Sequence, residues 1–304
     1  MKRSLVSHLQ ETFSLSLRKA CALLKLSRSV YAYQAKPRDD EAVIQGLLAL
    51  VEQYPRFGFA KLFILLRRQG HPWNHKRVYR VYCQLGLNLK RRAKKRLPVR
   101  KAMPLSVPAD INHSWSMDFM SDTLYDGRRF RTLNVVDDFN REVLAIEVDR
   151  SLPSERVIRV LDRIAEWRGY PESIRVDNGP EFISATLLGW AQAHQVTLNF
   201  IQPGKPTQNA YIERFNRSFR TEVLSYYVFD SLTQVREIID QWIIQYNEQR
   251  PHEALNNLTP IHYLQQHQQL RKQLSGWYYI YSKIICHIPC ARRTVHQQYN
   301  DVVF

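Results

Sequence analysis

Three acidic residues stand where their surroundings give them a chemical use: Asp118, Asp177 and Glu213. Asp118 lies in an alternating stretch in which Trp115, Met117 and Phe119 fall on one side and Ser116, Asp118 and Met120 on the other. Asp177 closes the run SIRVD. The turn Asn178-Gly179-Pro180 that follows would leave its carboxylate at a sheet edge. Glu213 sits in the first turns of a helical pattern whose Ile212, Phe215, Phe219 and Val223 make an apolar stripe. Glu213, Arg217 and Arg220 follow one another on the adjacent face at i, i+4 and i+7. A lone acid at any of these places reads as a surface charge or a cap. Three together suit hard divalent cations. Two Mg²⁺ ions about 3.5–4 Å apart can activate an oxygen nucleophile and stabilise the leaving oxygen of a phosphodiester. Neighbouring arginines would grip the flanking strand. No Ser, Tyr or Cys nucleophile stands out. Asp137 and Asp138, in VVDDFN, compete for a place in the set, and spacing alone does not exclude either.

The elements that must position these acids are legible as a change of period. Near residue 113 a strand begins, and a turn at Tyr125-Asp126-Gly127 leads to a second strand, FRTLNVVDD. A third, EVLAIEV, spans 142–148. A helix over Ser154–Trp167 with Ser154 as its cap, a strand over Ser173–Asp177, a helix over Phe182–His194 and a strand over Val196–Ile201 follow. The loop QPGKPTQN then precedes a long helix from near Ala210. The order β-β-β-α-β-α-β-α is that of an α/β fold with an RNase H-like mixed β-sheet.

Upstream the chain is different in kind. Residues 1–110 hold 23 Lys and Arg against 6 Asp and Glu, whereas residues 111–304 hold 21 against 22, so the whole net charge of +16 comes from the first third. That asymmetry favours a dedicated nucleic-acid-binding region. Leu17, Ala20, Cys21 and Leu24 have helical spacing, and Ser27 can cap a second short helix after a break, which fits a helix-turn-helix. Phe59, Leu62, Phe63 and Leu66 repeat the pattern before Gly70-His71-Pro72. Asn74 can cap a helix with Val78, Val81, Tyr82 and Leu85 inward and Lys76, Arg77 and Arg80 outward, as on a DNA recognition helix. A plain helical hairpin with a solvated basic face fits this local pattern equally well. Residues 90–101, KRRAKKRLPVRK, carry eight Lys and Arg, including Arg91 and Arg92, and read as an extended linker that can lie along phosphates. The four cysteines show no C-x-x-C pairing, and neither a signal-peptide run nor a membrane span is present, so reduced thiols in a cytoplasmic protein are the simplest reading. His71-x-x-x-His75 lacks a matching Cys pair, and Cys286-x-x-x-Cys290 with His287 has poor spacing for a metal.

Thirty-five residues separate Asp177 from Glu213 and 58 separate Asp118 from Asp177. This resembles the D,D-35-E signature of retroviral integrases and insertion-sequence transposases. The words WSMDFMSD, VVDDFNRE, RVDNGPEF, GKPTQNAYIERFNRSFRTE and YNEQRPHEALNNLTP resemble the OrfB product of the family whose transposase arises by frameshifting between two overlapping frames. The resemblance extends over roughly residues 15–265 and includes YPRFGFAKL and HPWNHKRVYRVY. It implies that Asp118, Asp177 and Glu213 bind catalytic Mg²⁺ (or Mn²⁺), two ions in all. It also implies that Arg220 contacts the element's end, and that Gly204, Lys205, Pro206 and Asn209 form the loop before the catalytic helix, with Lys205 as a DNA contact.

The expected organisation is an N-terminal helical segment (1–50), a helix-turn-helix domain (51–89), a basic linker (90–110), an RNase H-like integrase catalytic core (111–225), a C-terminal helical segment (226–270) and an atypical tail (271–304). The expected activity is metal-dependent DNA cleavage and strand transfer, with element ends and target DNA as substrates and a homo-oligomer assembled on the DNA. An OrfA protein or OrfA fusion is expected as partner, since no sustained heptad is found, and no membrane is involved. A catalytically silent remnant and a helix-turn-helix regulator are the alternatives.

Overall fold

The computed structural model of the chain describes residues 2–34, 39–89, 108–202 and 209–286, with side chains as far as residue 273. Arg91, Arg92, Lys205, His287 and Cys290, and with them most of the expected linker, lie outside the described residues.

Three helices open the chain: α1 (Lys2–Phe13), α2 (Leu17–Leu23) and α3 (Arg28–Ala32). They close over Val6, Ala20 and Cys21, with Leu9, Leu17, Leu24 and Tyr31 around them. Ser16 accepts a hydrogen bond from the Lys19 amide (3.4 Å) and Ser27 one from the Val30 amide (3.2 Å), so both short helices start on a side-chain cap. The next unit also has three helices: α4 (Glu41–Gln53), α5 (Phe59–Arg68) and α6 (His75–Gln84). Val43, Leu47 and Leu50 on α4 share a core with Leu62, Leu65 and Leu66 on α5 and Val78, Val81 and Tyr82 on α6. Residues 41–50 therefore pack with the helices that follow them, not with those before. Asn74 caps α6 by accepting from the Lys76 amide at 2.8 Å, and Gly70, at φ 86°, makes the break before it.

The sheet has five strands: β1 (Ser114–Thr123), β2 (Arg129–Asp137), β3 (Val143–Asp149), β4 (Ser173–Val176) and β5 (Thr197–Phe200). Their order is β3-β2-β1-β4-β5, with β2 antiparallel to both β1 and β3, and β4 parallel to both β1 and β5. This is the RNase H-like mixed sheet expected from the order of elements. Alternation along the strands gives the sheet two apolar faces. Trp115, Met117, Leu133, Val135, Ile174 and Val176 pack against α7 (Ser154–Arg168) and α8 (Ala185–Ala193) through Leu161, Ile164, Leu187 and Trp190. On the other face, Phe130, Val136 and Val148 pack against α9 (Ala210–Phe219) and α10 (Leu232–Glu248) through Ile212, Phe215, Phe219, Ile239 and Trp242.

Several boundaries differ from the sequence reading. Pro153, not Ser154, is the cap position of α7, because the Ser154 hydroxyl donates instead to the Glu181 carbonyl at 2.8 Å. Helix α8 starts at Ala185 on a Ser184 cap, since Phe182 is drawn inward to stack on Phe119 at 4.9 Å between ring centroids. After Phe219 the last helix widens into a π-helical turn, Arg220–Leu224. A final helix, α11 (Pro260–Cys286), completes the described chain. No helix among the described residues is long and apolar enough to cross a membrane.

Two joints hold these parts together. Arg68 donates to the carbonyls of Gln249 (3.0 Å) and Asn257 (2.5 Å), and the Tyr54 hydroxyl donates to the Gln249 side chain, tying α4 and α5 to the end of α10. Within the sheet, Arg168 at the end of α7 is 6% exposed and donates to Asp137 (3.0 Å) and Glu142 (2.7 Å) on either side of the β2–β3 turn. Removing one partner of a buried pair leaves the other charge uncompensated. Arg168→Ala is therefore expected to lower the unfolding free energy by about 3–5 kcal/mol, measured by urea denaturation. A loss below about 1 kcal/mol would mean that the pair is as replaceable as a surface one.

Candidate active site

Asp118 lies on the α9 face of β1, paired in register with Asn134 of β2. Asp177 is the first residue beyond β4. Its Oδ1 accepts from the Gly179 amide at 3.0 Å, and a Cβ added at Gly179 would stand 3.0 Å from that same oxygen. Glycine thus permits the tight turn that aims Asp177 out of the strand. Glu213 is exposed in the first turn of α9, whose register is set by buried Ile212, Phe215 and Phe219. The three acids come from three separate elements.

One residue joins two of those elements. Asn216, three positions after Glu213, donates from Nδ2 to Asp118 Oδ2 at 2.6 Å and accepts at Oδ1 from Asn134 Nδ2 at 2.7 Å. Asn134 is fully buried. The Asn134–Asn216–Asp118 chain pins β2, α9 and β1 together at the acid. The second oxygen of Asp118 accepts from the Phe119 amide at 2.8 Å. Neither asparagine was singled out in the sequence. The available signal was that Asn216 occupies a core-facing position between Ile212 and Phe219, where a polar residue needs a partner.

Electrostatics separates these acids from their neighbours. Asp122 is paired with Arg220 at 2.9 Å, Glu181 with Arg131, Asp137 with Arg168 at 3.0 Å and Asp138 with Arg175 at 3.2 Å. Burial alone would raise the Glu181 carboxyl, but its hydrogen bond from Arg131 holds it low. Asp137 and Asp138, the rival candidates, are both fully buried, and Ser114 and Ser116 also donate to Asp138. Among the described residues, Asp118, Asp177 and Glu213 have no ion-pair partner of this kind. Asp118 is instead pushed up to about 6, first by burial, then by the Asp177 charge and, less, by Glu213, against the hydrogen bonds from Phe119 and Asn216. A donor set of hard carboxylate oxygens with uncompensated negative charge suits a divalent cation. Among the described residues no three His, Cys, Asp or Glu side chains are grouped closely enough to enclose a metal ion.

The expected DNA contacts are distributed unevenly. Arg217 is exposed on α9 beside Glu213. Arg220 is turned toward β1, bonded to Asp122 and to the Ser121 carbonyl, both at 2.9 Å. On α6, Lys76 is exposed, but Arg77 and Arg80 both bind Asp40, at 2.8 and 2.7 Å, instead of standing free.

Two family models described as "Integrase core domain" match residues 109–206 and 194–260, and one described as "HTH-like domain" matches residues 37–96. The chain is 46% identical over 263 residues to a 31.7 kDa protein of insertion element IS407 from Burkholderia multivorans, covering 86% of this chain and 95% of that one. It is 41% identical over 260 residues to a 39.2 kDa protein of insertion element IS476 from Xanthomonas euvesicatoria, covering 85% and 75% of the two chains. It is also 27% identical over 248 residues to transposase InsD for insertion element IS2D of Escherichia coli K12, covering 77% and 81%.

The raised Asp118 carboxyl has a consequence for stability. The folded chain keeps this proton up to about pH 6, while an ordinary carboxyl, at 3.8, has already lost it. The charge therefore costs folding energy that grows between those two values and is complete above the upper one. Asp118→Asn removes that cost but loses one acceptor. It is expected to stabilise the protein by about 1–2 kcal/mol near neutral pH, with the gain vanishing below about pH 4. Urea unfolding across that range checks this; a variant no more stable than wild type at neutral pH would refute the cost of burying the Asp118 charge beside Asp177.

Proposed function

As the chain belongs to the family of insertion-element proteins with an integrase core domain, we propose that it is a DDE-type transposase of the OrfB kind. It cleaves DNA strands at the ends of its insertion sequence and joins them to a target. The observation that carries this reading at residue level is that Asp118, Asp177 and Glu213, on β1, at the end of β4 and at the start of α9, have no arginine partners among the described residues, while the acids around them are paired.

In this reading the three carboxylates hold Mg²⁺ or Mn²⁺, two ions in all. When bound, the metal supplies an acidified oxygen nucleophile and charge to stabilise the leaving oxygen. The chain's own residues do the positioning. Asn216 fixes the rotamer of Asp118, and the Asp177–Gly179 turn fixes Asp177 at the strand end. Arg217 offers a guanidinium to a phosphate one helical turn from Glu213. The helical units of residues 2–34 and 41–84 supply binding to the element's ends, with Lys76, Arg77 and Arg80 on α6 and Arg91, Arg92 and Lys205 as further contacts. Arg220 contributes to the same surface while anchored on Asp122. Two ends handled alike call for a homo-oligomer on DNA, with OrfA or an OrfA fusion as partner and the cytoplasm as compartment.

The test uses purified protein, with and without OrfA, together with Mg²⁺ and labelled duplex carrying the element's end. Wild type is expected to give cleaved and joined products, and Asp177→Asn and Glu213→Gln to give only background. The asparagine keeps an oxygen for the Gly179 amide, so the turn survives and loss of activity is not loss of fold. Equal activity in wild type and both variants would remove these acids from the chemistry.

A further inference from the structure

Away from the three acids, a cleft of about 900 Å³ opens between the helical unit and the sheet domain. Its walls come from α5, α6, α9 and the segment that follows α10. Five cationic side chains line it: Lys61, Arg141, Arg214, Arg217 and Arg250; Glu253 is the only acid among its described lining residues. Some of these cations are engaged at their backs. Arg250 pairs with Glu222, and Lys61 lies 4.0 Å from the same carboxylate. Arg141 stacks 3.5 Å over the ring of Tyr211. Among the described residues Arg214 reaches only Glu253, at 3.9 Å, and both of those side chains are largely exposed.

The crowding leaves electrostatic traces. Lys61 is drawn down to about 8, first by burial and then by Arg250, with Glu222 only partly opposing. His252, in the same wall, is held to about 2 by burial and then by Arg250 and Lys61. Its Nε2 is buried with no hydrogen-bond partner. Even with Glu222 behind Arg250 and Lys61, five cations face two acids, and anionic oxygens would relieve the excess. Because α9 carries both Glu213 and Arg214, the cleft begins one residue from the acids and runs from there toward α5.

We propose that this cleft binds the phosphodiester backbone of DNA passing between the helical unit and the sheet domain, with Arg214 and Arg141 as its principal contacts. It rests on the DNA-processing reading above, and it extends the binding surface beyond the basic face of α6 and the three acids, from Arg217 toward α5. Arg214 and Arg217 lie on one helical face, so the backbone is gripped on leaving the acids. Arg141, braced on Tyr211 and bonded to the Asp138 carbonyl, adds a cation beside that helix, and Lys61 adds one from α5. A phosphodiester chain fits better than a small free anion, because the cations are spread along an open cleft and do not converge on one point.

The test is binding, not cleavage, so its outcome is independent of whether the acids are catalytic. Anisotropy of a labelled duplex of arbitrary sequence is measured against salt for wild type, Arg214→Gln, Arg141→Gln, Glu253→Gln and Arg159→Gln, the last on exposed α7. Arg214→Gln and Arg141→Gln are each expected to weaken binding about 3- to 10-fold and to reduce the salt slope by roughly one counterion. Glu253→Gln should bind tighter, and Arg159→Gln should match wild type. Unchanged unfolding midpoints show that the losses are not misfolding. Unchanged affinity and slope in both arginine variants would overturn the proposal even if cleavage stands. Competition by ATP as strong as by unlabelled duplex would also overturn it, in favour of a small-polyphosphate site.

Discussion

Like charges brought within reach of one another must be held there by something stronger than their repulsion. Around Asp118, Asp177 and Glu213 the sheet supplies that restraint in layers. The apolar faces of β1 and β2 bury more than a dozen large side chains against α7, α8, α9 and α10. Each is worth about 1.5–3 kcal/mol, so even a few outweigh the cost of an unpaired half-buried carboxylate. The acids next in line are each committed to an arginine, which stops the local field from spreading. Asn216 then converts bulk cohesion into geometry by bonding the strand acid from the helix that carries the other one.

Helix α9 therefore serves two surfaces at once. Ile212, Phe215 and Phe219 decide how it lies on the sheet, and that decision places Glu213 and Arg217 on the outside. The π-helical turn that ends it keeps Val223 buried, and Arg220 there is spent on Asp122 and the Ser121 carbonyl. The stripe of one acid and two arginines seen in the sequence becomes, in three dimensions, an acid, a free arginine and a structural one.

The strands and their alternation were legible because they depend on local period, and the positions of the three acids on strand, strand end and helix start followed from the same pattern. The short caps at Ser27 and Asn74 were legible for the same reason. What escaped depends on partners distant in the chain. Asp137 and Asp138 could not be told from site residues until Arg168 and Arg175 were seen to claim them. Asn134 and Asn216 gain meaning only from each other, 82 residues apart. Arg77 and Arg80 of α6 read as outward cations, but Asp40, on the far side of two helices in sequence, binds both. Helix α4 was missed as a partner of α5 and α6 because its apolar stripe, Val43, Leu47 and Leu50, shows that it packs but not on which neighbours.

The bonds from Arg68 and Tyr54 to the end of α10 bear on measurement as well as on cohesion. Two units joined only by a tether would sample many separations. A bonded seam makes the distance from α6 to Asp118 a dimension of the protein, not of its linker. The molecule then carries its own caliper: on the proposed reading, the span between DNA held by the helical unit and a phosphate cut at the acids would follow from the length of α5 and the lie of α10.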